Sequence, residues 1–483
     1  MPPGVTVVGL GPGDPDLLTR RAIDVLRQQG EVYMRTRQHP ALAGLPPEMR
    51  VEAFDELYEQ SDDFEAVYAQ IVRRLIELAR RPAGVVYAVP GDPSVGEATV
   101  PALRQAAASA GLAFEIVPGV SFLEPSLAAL GLDALDGLQV ADALELAARH
   151  HPPLSPDRPA LIGQVYSALM AADVKLTLMN AYPDDHPVVL LHDTGNPNAS
   201  LERVPLHEID RSQAIGLRTS LYIPARHRRG ALESFQETVA HLRAPDGCPW
   251  DREQTHQSLA PHLMEEAYEA LQALDADDMA GLREELGDLL LQIVLQAQIA
   301  AEEGDFQMSD VIAGIDEKLI RRHPHVFGEV RVSGVEQVLH NWETLKRAER
   351  TENGTDKGLL DGVPLSLPAL AQAAEIQRRV ARVGFDWPGL EGVQAKVAEE
   401  LNELLEAVGD DRRTAEIGDV LFAVVNYARW LGVDPESALR QSARRFRQRF
   451  GEMESAAHRT GKPMDGMSAD EMDRLWEAAK GLE

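Results

Sequence analysis

The sequence predicts a multidomain protein in which an N-terminal α/β region is followed by two all-α units. Short apolar strand-like runs alternate with helices as far as residue 224, which is the pattern of an α/β domain with a largely parallel sheet. Beyond that point strand signals vanish and helices with 3.6-residue periodicity run to the C-terminus. The same spacing of acidic residues then occurs twice on paired helices. We therefore place the domains at 1–225, 231–350 and 369–483.

The charge and cysteine content narrow the classes of function. A formal net charge of −30 argues against a nucleic-acid or membrane-surface partner. The single cysteine, Cys248, excludes an intrachain disulfide and suits a reducing compartment. The N-terminus lacks a basic region and a long apolar core, so it does not read as a signal peptide, and no run reaches the length of a membrane-spanning helix. We expect a cytoplasmic protein that binds neither nucleic acid nor membrane.

Three Gly-Pro loops follow strand-like runs in the N-terminal region. Residues 5–9 read as a buried strand, followed by LGPGDPDLLT and a helix through 22–28, and similar strand–turn segments lie at 84–96 and 114–121. Ligands of parallel α/β sheets bind at loops beyond the carboxyl ends of the strands. The loops therefore predict one ligand cleft, with simple tight turns as the alternative. The dinucleotide fingerprint is incomplete, since Asp14 stands where its third glycine belongs.

The segments VGLGPGDPDLLT, YAVPGDPSVGEATV and IVPGVSFLEP resemble the three glycine-rich segments of the tetrapyrrole (corrin/porphyrin) methylase family. The resemblance covers roughly residues 4–224. It implies two α/β lobes with an S-adenosylmethionine cleft between them. It also implies that this cofactor is bordered by Pro12, Gly91, Asp92 and Ser121. It does not imply which substrate would be methylated.

Paired acidic helices begin the C-terminal part. Residues 259–299 read as two amphipathic helices joined by a short acidic turn, with metal-ligand candidates Glu266, Glu269, Glu285 and Asp288. Residues three apart share a helix face, so the carboxylates look inward and repel unless a cation lies between them. Oxygen ligands alone favour Mg²⁺, or Mn²⁺, over zinc. The alternative is a solvated acidic face, which would normally pair with lysines four residues away.

The chain repeats this pattern between residues 397 and 430. The corresponding metal-ligand candidates are Glu400, Glu403, Glu416 and Asp419. Polar segments separate the units, PARHRRG at 224–230 and TENGTDKGLLDGVPLSLP at 351–368. We interpret the two helical units as a duplication, because the period is far too long for a solenoid.

The strings CPWDREQTHQSL, KLIRRHPHVFG, NWETLKRAER and VGFDWPGL, together with both hairpins, closely resemble the MazG family of nucleoside triphosphate pyrophosphohydrolases. The resemblance covers essentially all of 231–483, and the nearest likeness of the whole chain is to fused methylase–MazG proteins. It implies Mg²⁺-dependent cleavage of a nucleoside triphosphate between the α and β phosphates. It also implies tightly packed helical bundles that form a homodimer, although the two copies could instead pair within one chain.

Several polar residues are candidates for the chemistry of the second copy. Glu399, or Glu400, could orient or deprotonate the attacking water, and Lys396 lies one turn before Glu400. Arg445 and Arg449 share a helix face and could bind phosphate, with an exposed basic face as the alternative. Trp476 could stack on a base, although core or interface packing is the more ordinary role for a tryptophan.

The two copies differ beside their carboxylates. His262 and Leu295 of the first copy stand where the second copy has Lys396 and Asn426. Asn426 could hydrogen-bond substrate, whereas leucine can only pack. We therefore predict that the second copy is the main hydrolase and that the first binds metal weakly or serves dimer packing. An active first site stays open because this copy has its own cationic residues, namely Lys318, Arg321 and Arg322.

On this hypothesis Glu403→Ala removes most activity and Glu269→Ala leaves much of it. Two other functions compete with hydrolysis. In one, S-adenosylmethionine-dependent methyl transfer is the main activity and the helical units are an oligomerisation platform. In the other, the chain is a regulatory protein that senses nucleotide or S-adenosylmethionine. The complete carboxylate sets with Lys396 and Asn426 favour hydrolysis.

Overall fold

The computed structural model describes residues 3–60, 63–335, 337–338, 341–342, 345 and 358–481. The chain divides into two compact units, Met1–Thr238 and Val239–Glu483. Most of the NWETLKRAER motif and residues 351–357 of the second polar segment lie outside the described residues. None of the described helices is long and apolar enough to cross a membrane.

The first lobe of the N-terminal unit is a parallel sheet, as predicted. Its strand order is β3-β2-β4-β1-β5, and every pairing is parallel. The strands are β1 (Gly4–Gly9), β2 (Glu31–Met34), β3 (Arg50–Ala53), β4 (Val85–Val89) and β5 (Ala113–Val117). The helices are α1 (Arg20–Gln29), α2 (Asp55–Glu59), α3 (Phe64–Ala79), α4 (Thr99–Ser109) and α5 (Leu123–Leu130).

Apolar side chains cover both faces of this sheet. Strands β1 and β4 are buried along their whole length, as expected for central strands of a parallel sheet covered on both sides. Helix α1 packs on one face through Ala22 and Leu26. Helices α3 and α4 pack on the other through residues such as Ile71 and Leu103.

The second lobe holds a mixed sheet with the order β6-β7-β10-β8-β9, in which only β6 and β7 pair in parallel. The prediction of a largely parallel sheet is therefore confirmed for the first lobe, whereas most strand pairs of the second lobe are antiparallel. The difference arises because a short connection between β8 and β9 reverses the chain, whereas a parallel pair needs a longer crossover. The elements are β6 (Gln139–Asp142), β7 (Ala160–Gly163), β8 (Pro187–His192), β9 (Ser200–Pro205), β10 (Thr219–Ile223), α6 (Ala143–Ala147) and α7 (Ala168–Leu178).

The predicted first linker is held against the second lobe. The Asp157 carboxylate accepts the backbone N–H groups of Gly230 at 2.8 Å and Ala231 at 3.1 Å. These residues immediately precede α8 (Leu232–Arg243), and N–H groups at a helix start need external acceptors. Segment 224–230 is therefore not a free tether, and the boundary between the compact units falls inside α8.

The second unit is helical throughout its described residues, as predicted. Helices α10 and α11 form the first acidic hairpin, and α15 and α16 form the second. The predicted division into two domains at 231–350 and 369–483 stays a prediction. The helices are α9 (Pro249–Arg252), α10 (His256–Asp275), α11 (Met279–Glu303), α12 (Met308–Arg322), α13 (Pro324–Phe327), α14 (Ala369–Arg382), α15 (Leu390–Glu406), α16 (Asp410–Trp430), α17 (Pro435–Thr460) and α18 (Ala469–Lys480).

Candidate functional site

The first hairpin brings three carboxylates together. Glu266 on α10 and Glu285 and Asp288 on α11 each offer an oxygen, and these oxygens lie within 4.8 Å of one another. The helices are antiparallel, and their register is secured by a hydrogen bond between the His256 ring and the Gln296 amide. All three carboxylates are half-buried. The predicted i,i+3 spacing thus places the ligands on facing helix surfaces.

Mutual repulsion marks this first cluster. Burial raises the pKa of Glu266, and the charges of Asp288, Glu269 and Glu285 raise it further. The pKa of Glu285 is likewise raised by burial and then by Glu269 and Asp288. Glu269 therefore interacts with the cluster although it is not one of the three converging residues. Excess negative charge of this kind is what a divalent cation offsets.

The second hairpin forms a matching cluster from Glu400, Glu416 and Asp419, again with oxygens within 4.8 Å of one another. Glu400 is buried, with 7% of its surface exposed. Lys396 lies 2.7 Å from Glu400 and 2.9 Å from Glu399. The hydrogen bonds to these two carboxylates raise the pKa of Lys396. The second cluster therefore differs electrostatically from the first, because a lysine is paired with its carboxylates.

Two predicted positions lie apart from the converging groups. Glu403 is exposed and is not among the three residues of the second cluster. In the first copy, His262 stands at the position of Lys396, and its Nδ1 lies 3.6 Å from Glu265. The proposed ligand roles of Glu403 and Glu269 stay predictions.

Asn426 belongs to a polar network that the sequence did not indicate. Its amide oxygen accepts Arg429 Nε at 3.0 Å and Nη2 at 2.8 Å. Arg429 Nη2 also donates to Asp386 at 2.6 Å, and Trp430 Nε1 donates to the same carboxylate at 3.2 Å. Asp386 stands in the VGFDWPGL string, which was the only signal for it. The network ties the segment before α15 to the end of α16.

Two of the three predicted substrate contacts lie next to each other. The Arg449 guanidinium is 5.6 Å from the centre of the Trp476 ring. The Phe446 ring lies 5.2 Å from the same tryptophan, so α17 and α18 pack through aromatic groups here. Trp476 is half-buried, whereas Arg445 is exposed. Trp476 thus packs against neighbouring side chains, as one of the two interpretations expected, and its stacking on a base stays a prediction.

In the N-terminal unit the three glycine-rich loops meet, because β4, β1 and β5 are neighbours. Gly11 and Gly91 exchange two backbone hydrogen bonds, at 3.1 and 2.8 Å. Asp92 accepts the N–H of Gly119 at 3.0 Å. A Cβ atom on Gly9 would stand 2.6 Å from Gly119 N and Gly91 O. The loops are therefore packed backbone to backbone, which only glycine permits.

A loop of the second lobe touches this group of loops. Asp14 N donates to Gly195 O at 3.1 Å, and the Asn196 amide donates to Pro12 O at 3.3 Å. Ser121 is buried, and its hydroxyl donates to Glu124 at 2.7 Å. The four predicted cofactor residues thus lie at one end of the parallel sheet, beside the junction of the lobes. The Ser121 hydroxyl is thus engaged in hydrogen bonds at the start of α5, with Glu124 and with the N–H of Leu123.

A further polar cluster missed by sequence reasoning follows β2 and β4 at the same edge of the sheet. Arg35 Nη1 lies 3.1 Å from Glu97, whose side chain is 3% exposed. The guanidinium also lies over the rings of Tyr58 and Tyr68, with centroids 5.9 and 5.7 Å away. Glu97 belongs to the YAVPGDPSVGEATV segment, but its partners Arg35, Tyr58 and Tyr68 lie far from it in the chain, so only their spatial convergence reveals the cluster.

Family models match both units. The model of the Tetrapyrrole (Corrin/Porphyrin) Methylases matches residues 4–210, and the model of the MazG nucleotide pyrophosphohydrolase domain matches 254–327 and 389–452. A MazG nucleoside triphosphate pyrophosphohydrolase/pyrophosphatase from Thermotoga maritima is 45% identical over 51% of this chain and 96% of its own length. The chain belongs to the MazG family. Both carboxylate clusters lie inside the matched MazG segments.

The fused arrangement also occurs in a relative. The uncharacterized protein YabN of Bacillus subtilis is 43% identical over 99% of this chain and 99% of its own length. The Escherichia coli K12 nucleoside triphosphate pyrophosphohydrolase is 45% identical over 51% of this chain and 95% of its own. Among solved structures, the uroporphyrin-III-C-methyltransferase of Thermus thermophilus is 24% identical, covers 47% of this chain and 93% of that one, and has a TM-score of 0.36. By the two family models, this MazG family member combines a methylase-like region with two MazG segments.

Proposed function

We propose that the helical part of the chain hydrolyses nucleoside triphosphates, both NTPs and dNTPs, to the monophosphate and pyrophosphate. Mg²⁺ is the proposed cofactor and Mn²⁺ the alternative. The observation that carries the proposal is the second cluster, where Glu400, Glu416 and Asp419 converge beside Lys396. The relatives from T. maritima and E. coli bear the names of enzymes of this class, which supports the same reaction here.

The residues of the second cluster fit a hard divalent cation, because all donors are carboxylate oxygens close enough to share one ion. When bound, Mg²⁺ supplies positive charge that offsets the triphosphate and polarises phosphorus. Lys396 adds a protein cation at the same place and holds Glu399 by an ion pair. Glu399 is exposed and can orient or deprotonate the attacking water.

The remaining substrate contacts lie on α16, α17 and α18. Arg445 and Arg449 are the proposed phosphate-binding cations, because guanidinium groups bind phosphate oxygens in a bidentate way. Asn426 is the proposed hydrogen-bonding residue, held by Arg429. Trp476 is the proposed base contact. Because most of these proposed contacts are to the triphosphate, we expect low selectivity for the base and the sugar.

We assign the main activity to the second copy because its cluster carries a lysine. In the first copy, His262 and Leu295 stand at the positions of Lys396 and Asn426. The first cluster has no lysine at the matching position to offset the repulsion between its carboxylates. Such a cluster is suited to binding a cation, but it lacks the protein cation that would neutralise a triphosphate. The first copy is proposed to bind metal without efficient turnover.

Product analysis of matched variants tests the assignment. The full chain is incubated with mixed NTPs and dNTPs, and we expect monophosphate plus pyrophosphate that disappears on chelation of Mg²⁺. Asp419→Asn is expected to lower turnover at least about 100-fold, since it removes a metal ligand, whereas Asp288→Asn keeps most activity. Likewise, Glu403→Ala is expected to remove most of the hydrolytic activity and Glu269→Ala to leave much of it.

Other product patterns argue against the assignment in different ways. The reverse ranking of the two aspartate variants would place hydrolysis in the first copy. Release of diphosphate and phosphate would mean that the cleaved bond is assigned wrongly. Nucleotide binding without turnover would favour the regulatory sensor instead.

A second function, binding of S-adenosylmethionine and methyl transfer, is proposed for the N-terminal unit. The observation favouring it is the meeting of three glycine-rich loops at the carboxyl ends of adjacent strands, where Asp92 bridges two of them. Backbone N–H groups and one carboxylate at such an edge are suited to a small polar cofactor. The methyl acceptor is left open.

A homodimer in the cytoplasm is the proposed state of the protein. Leu286, Leu290 and Ile293 form an exposed apolar stripe on α11, and Ile417, Leu421 and Val424 repeat it on α16. Exposed apolar patches mark interaction surfaces when they are contiguous, and a second copy of the chain presents the same surface. Cys248 is free, which suits a reducing compartment. Sedimentation velocity of the full chain measures the oligomeric state.

A further inference from the structure

Asp275, at the end of α10 in the first MazG copy, contacts several side chains of the second copy. The Ser437 hydroxyl donates to Asp275 Oδ1 at 2.6 Å, and Arg440 Nε donates to Oδ2 at 3.2 Å. The Gln441 amide lies 3.5 Å from Oδ1. Arg444 Nη2 donates to the backbone oxygen of Asp275 at 3.1 Å. Four side chains on one face of α17 thus converge on a single residue of the other copy.

This joint is more than a solvated surface ion pair. The Asp275 side chain is 15% exposed and that of Arg440 is 27% exposed. The pKa of Asp275 lies below its usual value, chiefly because of the hydrogen bond from Ser437 and also because of those from Gln441 and Arg440. Hydrogen bonds to an ionised acceptor are roughly twice as strong as neutral ones. The Arg444 contact also satisfies a carbonyl at the C-terminus of α10.

The joint holds the beginning of the helix that carries the proposed phosphate-binding arginines. Helix α17 is continuous over 26 residues, from Pro435 to Thr460. Asp275 holds its first turns, and Arg445 and Arg449 follow on the same helix. A packed helix moves as a rigid element, so a change of tilt or rotation at its start displaces every side chain further along.

We propose that Asp275 of the first copy is a positioning residue for polyphosphate binding by the second copy, acting through Ser437 and Arg440 to set α17. The proposal rests on the proposed hydrolase function and deepens it. It gives the first copy a role that needs no turnover of its own. The effect falls on the affinity for the triphosphate, since the arginines of α17 bind phosphate, whereas the metal-binding carboxylates stand on α15 and α16.

Steady-state kinetics of the full chain test the proposal with a matched pair of variants. Asp275→Asn removes the charge but keeps the shape, and KM for the nucleoside triphosphate is expected to rise about tenfold while kcat stays within about twofold. Asp277→Asn removes the same charge two residues later, from an exposed side chain at a positive φ of 55° that asparagine tolerates. This variant is expected to behave as wild type.

Arg440→Gln gives an independent second variant. It is expected to raise KM to the same extent, and the Asp275→Asn/Arg440→Gln double variant is expected to raise it no further, because both changes break one contact. Thermal unfolding of each variant checks that the fold persists. An unchanged KM in either folded single variant, a loss confined to kcat, or additive effects in the double variant would each overturn the proposal.

The same series separates this proposal from the proposed function. If wild type releases no monophosphate and pyrophosphate, the hydrolase assignment fails and this proposal fails with it. If wild type turns over and Asp419→Asn does not, while Asp275→Asn keeps the wild-type KM, only the positioning role is wrong.

Discussion

Lys396 distinguishes the two carboxylate clusters more than any of the proposed metal ligands does. The converging residues are the same in both copies, two glutamates and an aspartate. In the second copy Lys396 binds Glu399 and Glu400, whereas the pKa values of Glu266 and Glu285 in the first are raised by burial and by neighbouring carboxylates. One side chain therefore changes a repelling cluster into a partly neutralised one.

Replacement of this lysine is expected to separate metal binding from turnover. Lys396→Met should lower kcat/KM about 100-fold, or ~3 kcal/mol, because the triphosphate loses a cation at the site. The apparent affinity for Mg²⁺ should rise, because the carboxylates lose their neutralising partner. Titration of turnover with Mg²⁺ measures both quantities.

The control for this prediction is Lys480→Met. Lys480 also forms an ion pair within its own helix, with Glu477, but it lies on α18 away from the carboxylates in sequence. It is expected to leave both quantities unchanged. Turnover of Lys396→Met within about twofold of wild type would contradict the role given to this residue.

At the scale of the element, the α10–α11 hairpin holds several carboxylates close enough to repel one another. The pKa values of Glu266 and Glu285 are higher in the folded protein than their ordinary values. Between the ordinary and the raised pKa the folded state binds more protons than the unfolded state, so stability falls as the pH rises through this window. Above it, the repulsion is fully present, and below the ordinary pKa it is absent. Metal-free protein therefore carries the full cost of the repulsion once the pH lies above this window.

Removal of one charge from this hairpin should stabilise the metal-free protein. Glu285→Gln is expected to raise the unfolding temperature at pH 7 without Mg²⁺ and to leave it unchanged below the ordinary carboxylate pKa. Addition of Mg²⁺ should stabilise wild type more than the variant, because the cation offsets the same repulsion. Scanning calorimetry at several pH values measures these differences.

Glu317→Gln on α12 is the matched control, since it removes an exposed glutamate that does not belong to the cluster. It should shift the unfolding temperature equally with and without Mg²⁺. Destabilisation of metal-free Glu285→Gln at pH 7 would mean that the carboxylates do not repel as the pKa values indicate.

At the scale of the whole molecule, the candidate sites lie in different compact units. The glycine-rich loops belong to the first unit, and both carboxylate clusters belong to the second. The loops depend on Asp92, which accepts N–H groups from Ser94 at 2.7 Å and from Gly119 at 3.0 Å. A change there should alter the cofactor cleft and leave the chemistry of the helical unit intact.

Binding of S-adenosylhomocysteine provides the measurement. Asp92→Ala is expected to weaken it at least about tenfold by calorimetry, because two loop N–H groups lose their acceptor, with nucleotide hydrolysis unchanged. Asp136→Ala, an exposed aspartate of the same unit, is the control. Wild-type affinity in Asp92→Ala, or no binding by the wild-type chain, would count against the cofactor cleft.

The sequence alone determined the features that depend on local spacing. Helical periodicity with carboxylates three residues apart predicted both hairpins, and the oxygens of Glu266, Glu285 and Asp288 do converge. Strand-like runs ending in glycine predicted the parallel sheet and the meeting of its loops. These predictions succeed because residues close in sequence share a face or a strand end whatever the rest of the chain does.

Only the tertiary structure decided the contacts between distant residues. The mixed second sheet, the Asp386–Arg429–Asn426 network, the holding of α8 by Asp157 and the joint at Asp275 each link residues far apart in the chain. Such partners leave no periodic pattern, because any acidic residue on a helix end can meet any suitable donor. Packing of the helices and strands selects the pair, and with it the charge that each site carries.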